Sequence, residues 1–371
     1  MQPKKITYIL SNIDKAIAFE WIVEQINQQQ IELSFIILNT SDSYLFNWLQ
    51  SKKIESYIIK HHGKKSYLAS FFKVVRLLKK IKPSIVHSHL FDANLIGLSA
   101  AKLLGVKKRI YTRHHSTFHH EYYPKAVKWD KLANKLATDI VAISQNVKQV
   151  LYKKENVSLS KLHLIHHGFD LEKFNTVDSK AIIKLKEKYS IAENTPIIGV
   201  VSRFIQLKGI QYIIPAFKQL LTDYPNAKLV LANASGPDKE QIQFLLKKEL
   251  ATNHYLEIKF EPNLFALYQL FDVYVHVPIN NHIEAFGQTY VEALASGIPS
   301  IFTLSGVANE FIKNEKNAIV VDYKNSEEIY TAITTLLTDE KLKNKLVENG
   351  KQSIKPFNLN LFIQKLERLY E

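Results

Sequence analysis

The stretch "DVYVHVPINNHIEAFGQTYVEALASGIPSIFTL", residues 272–304, holds a strand, a loop, a helix and a second strand in one run. "VYVHV" and "SIFTL" are short β-branched and aromatic runs, whereas "QTYVEALAS" has the spacing of a helix. Gly287 permits a tight turn before the helix, and Gly297 and Pro299 end it. Strands joined through a helix pair in parallel, so the stretch predicts part of a parallel sheet covered by helices.

The same alternation continues on both sides of this stretch. Strands are predicted in an N-terminal series at "ITYIL", "LSFIILN", "SYIIK", "SIVHSH", "RIYTRH", "DIVAIS" and "LHLIHHG", and in a C-terminal series at "PIIGVVS", "AKLVLAN", "YLEIKF", "DVYVHVP", "PSIFTL" and "NAIVVD". Helical segments separate most of these strands. Two such series predict an α/β fold with two doubly wound, Rossmann-like domains that face each other across a cleft.

The polar, charged segment 172–195 marks the predicted domain boundary. We expect an N-terminal domain over residues 1–175 and a C-terminal domain over residues 190–355. Residues 356–371 include "NLNLFIQKLERLYE", and we expect them to form a helix that packs back toward the N-terminal domain.

Composition excludes several classes of protein. The chain has 371 residues, of which 46% are hydrophobic, and no cysteine. Disulfides and thiolate metal sites are therefore excluded, and a reducing compartment fits. The first apolar run, "ITYIL", is too short for a signal peptide, and no stretch approaches the ~20 apolar residues of a spanning helix. We predict a soluble cytoplasmic protein.

The net charge of +14 is unevenly distributed. Residues 1–180 contain 28 Lys and Arg against 14 Asp and Glu, and the remaining residues contain 21 of each. Residues 60–82 contain eight basic residues and no acidic one, on a segment with helical apolar spacing. Such a helix can lie on an anionic membrane. The candidates for contact are Lys64, Lys65, Lys73 and Arg76. The alternative is a sheet-covering helix with solvated charges.

Polar residues follow the predicted strands where ligands bind in such sheets, beyond the carboxyl ends. They are His87 and His89, then Arg113, His114 and His115, then Arg203 and Lys208, and finally Glu284. His87 and His89 share one face of a strand, but no carboxylate lies at metal-ligand spacing from them, so we expect no metal site.

Two carboxylates flank the predicted helix start. The helix N-terminus near Gln288 and Thr289 offers free backbone N–H groups and suits a phosphate. Glu284 and Glu292 lie on either side of it and can accept hydrogen bonds from hydroxyl groups. A nucleotide-sugar has this layout of hydroxyls, diphosphate and hydroxyls. The alternative is an ordinary surface helix on which Glu292 is solvated.

Four motifs together resemble the GT-B glycosyltransferases, specifically the retaining enzymes of glycosyltransferase family 4. They are "HIEAFGQTYVEALASGIPSIFT", "VSRFIQLKGIQYIIPAF", "ATDIVAISQNVKQVL" with "LHLIHHGFDLEKF", and "PSIVHSHLFDANLIGLSAAKLLG". The resemblance implies that Glu284 contacts the transferred sugar, Glu292 the ribose, and Arg203 and Lys208 the diphosphate. It also implies that His114 is the pocket histidine, although His115 beside it leaves that assignment open by one position.

The chain departs from this family after the first strand. The family has a glycine-rich loop there, whereas "LSNIDKAIAFEW" has no glycine. Asn12 and its neighbours would replace that loop. The acceptor-side candidates are therefore Asn12, His89 and His115.

The chemistry implied by the resemblance is a sugar transfer that expels a nucleoside diphosphate with retention of anomeric configuration. Fixed cations stabilise such a leaving group. The sequence contains no Asp-x-Asp triplet, so Arg203, Lys208 and the helix N-terminus would replace a metal, and no cofactor is expected. We predict a hexosyltransferase with a glycan or lipid-linked acceptor, acting in surface polysaccharide, lipopolysaccharide or glycolipid synthesis, peripherally on the inner face of the plasma membrane.

Two other functions remain open at this point. A GT-B sugar-nucleotide epimerase or phosphorylase shares the fold and the phosphate chemistry. A nucleic-acid-binding protein would fit the isoelectric point of about 9.4, although the chain shows no zinc-finger, RNP or helix-turn-helix signature, and we expect no nucleic-acid partner. The sequence does not decide between a uridine and a guanosine donor.

Overall fold

The computed structural model describes residues 3–371. The chain divides into two compact units. The first runs to Phe169 and includes Leu359–Glu371, and the second is Asp170–Asn358. The second unit is therefore an insertion in the first along the chain.

The first unit is built on a seven-stranded parallel sheet within the described residues, in the order β3-β2-β1-β4-β5-β6-β7. Its strands are β1 (Lys4–Ser11), β2 (Ile31–Asn39), β3 (Glu55–Lys60), β4 (Ile85–His89), β5 (Lys108–Arg113), β6 (Asp139–Ala142) and β7 (Leu162–Leu164). Its helices are α1 (Ile17–Gln25), α2 (Tyr44–Ser51), α3 (Tyr67–Ile81), α4 (Phe91–Leu103), α5 (Phe118–Tyr122), α6 (Val127–Leu136) and α7 (Gln145–Gln149), with α17 (Leu359–Tyr370) from the end of the chain.

Apolar strands and amphipathic helices explain this sheet. β1 and β2 are buried along nearly their whole length, as strands covered on both faces must be. Ile9 and Ile36 of these strands pack with Val74 of α3 in one core cluster. Helix α4 comes close to β1 at Gly97, where an added Cβ would lie 2.9 Å from Ile9 Cδ1.

The second unit contains a six-stranded parallel sheet within the described residues, in the order β10-β9-β8-β11-β12-β13. Its strands are β8 (Ile197–Val201), β9 (Lys228–Ala232), β10 (Tyr255–Ile258), β11 (Val273–His276), β12 (Ser300–Phe302) and β13 (Ile319–Val320). Its helices are α8 (Leu171–Asn175), α9 (Ser179–Lys188), α10 (Ile210–Asp223), α11 (Lys239–Glu249), α12 (Leu264–Tyr268), α13 (Gln288–Ala295), α14 (Ala308–Phe311), α15 (Ser326–Thr338) and α16 (Glu340–Ser353). The predicted α/β class and its two strand series are confirmed.

Each sheet reverses its strand order once, between β1 and β4 and between β8 and β11. Ligands of open parallel sheets bind beyond the carboxyl ends of the strands at such a reversal. In the first unit Asn12 follows β1 and His89 ends β4. In the second unit Arg203 follows β8 and Glu284 follows β11.

Helix α17 completes the first unit. The Leu359 backbone N–H donates to the Phe169 carbonyl at 2.9 Å. The Tyr370 hydroxyl hydrogen-bonds the Tyr8 hydroxyl and lies 2.7 Å from His87 Nδ1, with all three side chains buried.

The boundary between the units falls before α8, a few residues earlier than the sequence placed the end of the N-terminal domain. Phe174 of α8 packs edge-on against Phe265 at 4.7 Å and contacts Tyr268. These aromatic contacts hold α8 in the second unit. No helix within residues 3–371 is long and apolar enough to cross a membrane.

Candidate active site

Glu284 lies in the loop between β11 and α13 and is 7% exposed. Its backbone N–H donates to Ser305 Oγ at 3.1 Å. Gly306 makes this approach possible, because its φ is +57° and an added Cβ would lie 2.7 Å from Glu284 Cβ. Only glycine therefore fits at position 306, where the backbone packs against the Glu284 loop.

Two cationic or polar groups converge on the Glu284 carboxylate. Lys208 Nζ lies 2.5 Å from Oε1, and His276 Nε2 lies 3.2 Å from the same atom. Burial raises the pKa of Glu284, but the Lys208 ammonium and the His276 hydrogen bond outweigh it and leave the pKa below its ordinary value. Burial lowers the pKa of His276, against the opposing effect of Glu284. The carboxylate is therefore ionised, and a neutral His276 donates to it.

Lys208 is positioned by a glycine. Gly209 follows it with φ +76°, and an added Cβ would lie 1.9 Å from the Val277 carbonyl oxygen. The turn after β8 therefore packs directly against the backbone after β11. Arg203, at the start of the same turn, is exposed and forms no ion pair among residues 3–371.

The N-terminus of α13 lies next along the chain from Glu284. Gly287 caps the helix with φ +87°. Gln288 is exposed and Thr289 is half-buried, whereas Tyr290 is buried and donates its hydroxyl to the Thr303 carbonyl at 2.9 Å. This hydrogen bond anchors the first turn of α13, where free backbone N–H groups lie at the start of the helix.

Glu292 lies one turn further into α13 and is 8% exposed. The Tyr268 hydroxyl donates to its Oε2 at 2.8 Å. Burial raises the pKa of Glu292 to about 7, and the Tyr268 hydrogen bond opposes this rise. The two glutamates of the loop and helix therefore differ in charge near neutral pH: Glu284 is ionised, and Glu292 is divided between its two forms.

The predicted histidines of the first unit fall into two groups. His114 Nε2 lies 3.0 Å from His89 Nδ1, and the His114 ring stacks on His167. Burial lowers the pKa of His114 to about 3, so the ring is neutral. His115 turns instead toward Asp130, with Nε2 3.2 Å from Oδ2, and burial lowers its pKa to about 4.

The remaining predicted residues lie on the surface of the first unit. Asn12 is exposed and adopts φ +53°, a left-handed conformation that asparagine tolerates better than most residues. Lys64, Lys65, Lys73 and Arg76 are all exposed, on the turn before α3 and on α3 itself.

Comparison with known proteins identifies the family. The profile described as "Glycosyltransferase Family 4" matches residues 22–173, and the one described as "Glycosyl transferases group 1" matches residues 181–353. The chain belongs to this glycosyltransferase family.

The glycosyltransferase is similar over most of its length to curated relatives. It is 28% identical over 319 residues to the Staphylococcus aureus "Capsular polysaccharide biosynthesis glycosyltransferase CapM", covering 82% of this chain and 81% of the relative. It is 26% identical over 345 residues to the Acholeplasma laidlawii "Alpha-monoglucosyldiacylglycerol synthase", covering 86% of this chain and 83% of the relative.

Among solved structures, Anabaena Alr3699/HepE in complex with UDP and glucose has a TM-score of 0.85 at 18% identity. The match covers 99% of each chain. At this level of identity the likeness establishes the fold. The glycosyltransferase has the predicted GT-B fold.

Three residues of the glycosyltransferase lie at the candidate site although the sequence did not predict them. His276 contacts Glu284, Tyr268 contacts Glu292, and Gly306 leaves space for the Glu284 loop. His276 ends β11 and could have been found by the strand-end rule that selected the other residues. Tyr268 has no such signal, because it reaches Glu292 only through tertiary packing.

Proposed function

We propose that this enzyme transfers a hexosyl group from a nucleoside-diphosphate sugar to a lipid-linked or glycan acceptor, with retention of configuration and without a metal. The observation that carries the donor assignment is the convergence of Lys208 and His276 on Glu284, at the sheet reversal and beside the start of α13. An ionised carboxylate, a cation and a helix N-terminus in one place suit a sugar joined to a diphosphate.

The diphosphate is assigned to Arg203, Lys208 and the start of α13. A lysine ammonium has three donors, so Lys208 can bind Glu284 and still donate to phosphate oxygens. Arg203 has no ionic partner in the described chain and offers a fork of N–H groups to an anion. Gly287, Gln288 and Thr289 supply the backbone N–H groups at the helix start.

The two glutamates are assigned to hydroxyl groups on either side of the diphosphate. Glu284, kept ionised by Lys208, accepts from the transferred sugar. Glu292 accepts from the ribose. Because a ribose hydroxyl donates to a carboxylate, nucleotide binding favours the ionised form of Glu292.

Catalysis then consists of stabilising the departing diphosphate. The negative charge that develops on it is met by fixed donors and cations. In the proposed retaining route the acceptor hydroxyl attacks from the leaving-group face, and the departing phosphate takes its proton. His114 of the first unit has a neutral ring, and it is assigned to the acceptor side together with His89 and Asn12.

Donor binding and metal independence are tested together on the purified enzyme. We expect UDP- or GDP-sugars to raise the melting temperature, and release of the nucleoside diphosphate to continue in excess EDTA. Complete loss of this release, restored by Mg²⁺ or Mn²⁺, would overturn the roles of Arg203 and Lys208. Absence of any thermal shift with either class of nucleotide-sugar would overturn the donor assignment.

The acceptor is proposed to be borne by a membrane, because α3 carries exposed apolar side chains in addition to its buried ones. Val74, Val75, Leu78 and Ile81 are buried. Leu68 and Phe72, one turn apart, are 69% and 60% exposed. These two lie among the exposed cations of residues 64–76, which suits an anionic lipid surface. Relatives named for glycolipid and capsular polysaccharide synthesis fit such an acceptor.

A further inference from the structure

A buried charged cluster lies in the first unit, outside the residues assigned to the donor. Arg113 Nη1 lies 3.2 Å from Asp130 Oδ1, and Arg113 Nη2 lies 2.5 Å from Glu155 Oε1. The three side chains are at most 4% exposed. Two carboxylates share one guanidinium, so the three formal charges sum to one negative charge. Buried charge of this kind is costly unless a cation compensates it.

Three histidines surround the two carboxylates. His115 Nε2 lies 3.2 Å and His119 Nδ1 lies 2.6 Å from the same atom, Asp130 Oδ2. His120 Nε2 lies 3.1 Å from Glu155 Oε1. Two imidazole nitrogens thus converge on one carboxylate oxygen, while the third histidine contacts the other carboxylate.

We propose that His115, His119 and Asp130 form a binding site for a divalent transition-metal ion of the Zn²⁺ type. One ligand atom from each residue lies within 4.8 Å of the other two. Imidazole nitrogen and carboxylate oxygen bind Zn²⁺ at about 2.0–2.2 Å, and three protein ligands leave a fourth position for water. The two histidine side chains are 23% and 15% exposed, so an ion can enter from solvent.

The neighbours of these ligands are arranged to hold them in place. Arg113 Nη1 lies 3.2 Å from Oδ1 of Asp130 and Nη2 donates to Oδ2 at 3.3 Å, so the guanidinium fixes the carboxylate that contacts the two histidines. Asn134 donates to Glu155 Oε2 at 2.7 Å and so fixes the second carboxylate. The Phe91 ring packs edge-on against His119 with 5.4 Å between centroids. Such outer contacts orient metal ligands in proteins.

The bound ion would act on structure and not on the transferred sugar. His115 follows His114 directly, and His119 lies in α5, so the ion would hold the segment after β5 that presents His114. This role is independent of the proposed donor chemistry, whose residues belong to the second unit.

The test uses the tag-free, 371-residue protein stripped of metal. Calorimetric titration with Zn²⁺ should give one tight site per chain, and bound Co²⁺ should show visible d–d absorption. Because the chain has 14 histidines, variants must assign the site. His119→Gln and His115→Gln should each weaken Zn²⁺ binding at least tenfold. His120→Gln is the matched control, because His120 contacts Glu155 and not Asp130. This variant should bind Zn²⁺ as the wild type does.

Two results would overturn the metal site. One is a wild-type protein with no saturable Zn²⁺ binding. The other is unchanged binding in the His115→Gln/His119→Gln double variant with native circular dichroism. Nucleotide affinity of the stripped protein is measured in parallel, and its loss would count against the donor assignment instead.

Discussion

The proposed ribose role of Glu292 predicts that nucleotide binding depends on pH. Its pKa of about 7 means that the carboxylate is neutral in acid and ionised in base. A pKa raised above the unfolded value stabilises the fold below about pH 4.5, and this stabilisation is lost as the pH rises through 7. We expect nucleoside diphosphate affinity to increase as the pH rises through 7, measured by calorimetry.

The variant Glu292→Gln separates the effect of Glu292 on nucleotide binding from its effect on the stability of the fold. At pH 8 it should weaken nucleotide binding by roughly 1–3 kcal/mol, because an amide accepts ribose hydroxyl bonds less well than a carboxylate. It should also raise the free energy of unfolding at pH 8 by about 1–3 kcal/mol, because no buried charge remains. Unchanged nucleotide affinity would refute the ribose role, even if stability rises.

Lys208 is assigned to the donor diphosphate, a role that a surface lysine elsewhere in the same unit does not share. Lys208→Met should lower kcat/KM roughly 10²–10³-fold, the size of effect seen when one donor to a developing anion is removed. Lys218, which is 58% exposed and pairs with Glu249 at 2.9 Å in the same unit, is the control. Lys218→Met should leave kcat/KM unchanged. Equal effects of the two variants would count against the phosphate contact.

At the scale of elements, the turn after β8 depends on Gly209. Gly105 adopts nearly the same φ, +71° against +76°, but an added Cβ there has nothing within 4 Å. Gly105→Ala should therefore cost only the backbone strain, about 1 kcal/mol. Gly209→Ala also drives a methyl group into the Val277 carbonyl and should cost about 3 kcal/mol or more, with loss of nucleotide binding.

Chemical denaturation can assign these costs to one unit. The tryptophans Trp21, Trp48 and Trp129 all lie in the first unit. Gly209→Ala should shift the unfolding followed by circular dichroism while leaving the tryptophan fluorescence transition in place. A Gly209→Ala variant as stable as Gly105→Ala would show that this turn does not need the close approach.

At the scale of the whole molecule, the uneven charge predicts membrane binding. We expect the protein to sediment with anionic liposomes at low salt, and binding to fall as salt screens the charges. Replacing Lys64, Lys65, Lys73 and Arg76 with Glu should weaken this binding more than tenfold without changing nucleotide affinity. Leu68→Ser/Phe72→Ser should also weaken it, since both side chains are exposed.

A matched set of reversals controls for net charge. Lys184, Lys239, Lys247 and Lys341 are exposed in the second unit, and their replacement with Glu changes the charge by the same amount. Phe244→Ser, at a side chain that is 68% exposed in the second unit, controls for lost apolar surface. If both sets of charge reversals weaken binding equally, the protein responds to net charge alone and α3 has no special role.

The local sequence pattern predicted the fold well, because buried parallel strands are continuous apolar runs. Such a run can be recognised without knowing which distant residues pack against it. Each of the strands predicted from β1 to β13 is present. The strand-end rule also selected Glu284 and Lys208, which the fold then brings into contact.

Contacts between residues that are far apart along the chain could not be predicted from the sequence. Arg113 ends a strand and was grouped with ligand-facing residues, yet it is 1% exposed, because Asp130 and Glu155 bind it from inside the unit. Glu155 lies 42 positions away along the chain. Tyr268 likewise meets Glu292 across 24 positions. No periodicity in the sequence encodes such pairs.

The insertion of the second unit has a consequence for biosynthesis. Helix α17 belongs to the first unit, and Gly168 leaves room for it, since an added Cβ would lie 2.5 Å from Phe362 Cβ. Until α17 has been translated, the buried hydroxyl of Tyr8 and the ring of His87 lack Tyr370. The ribosome therefore delivers every residue of the second unit before it delivers the segment that closes the first.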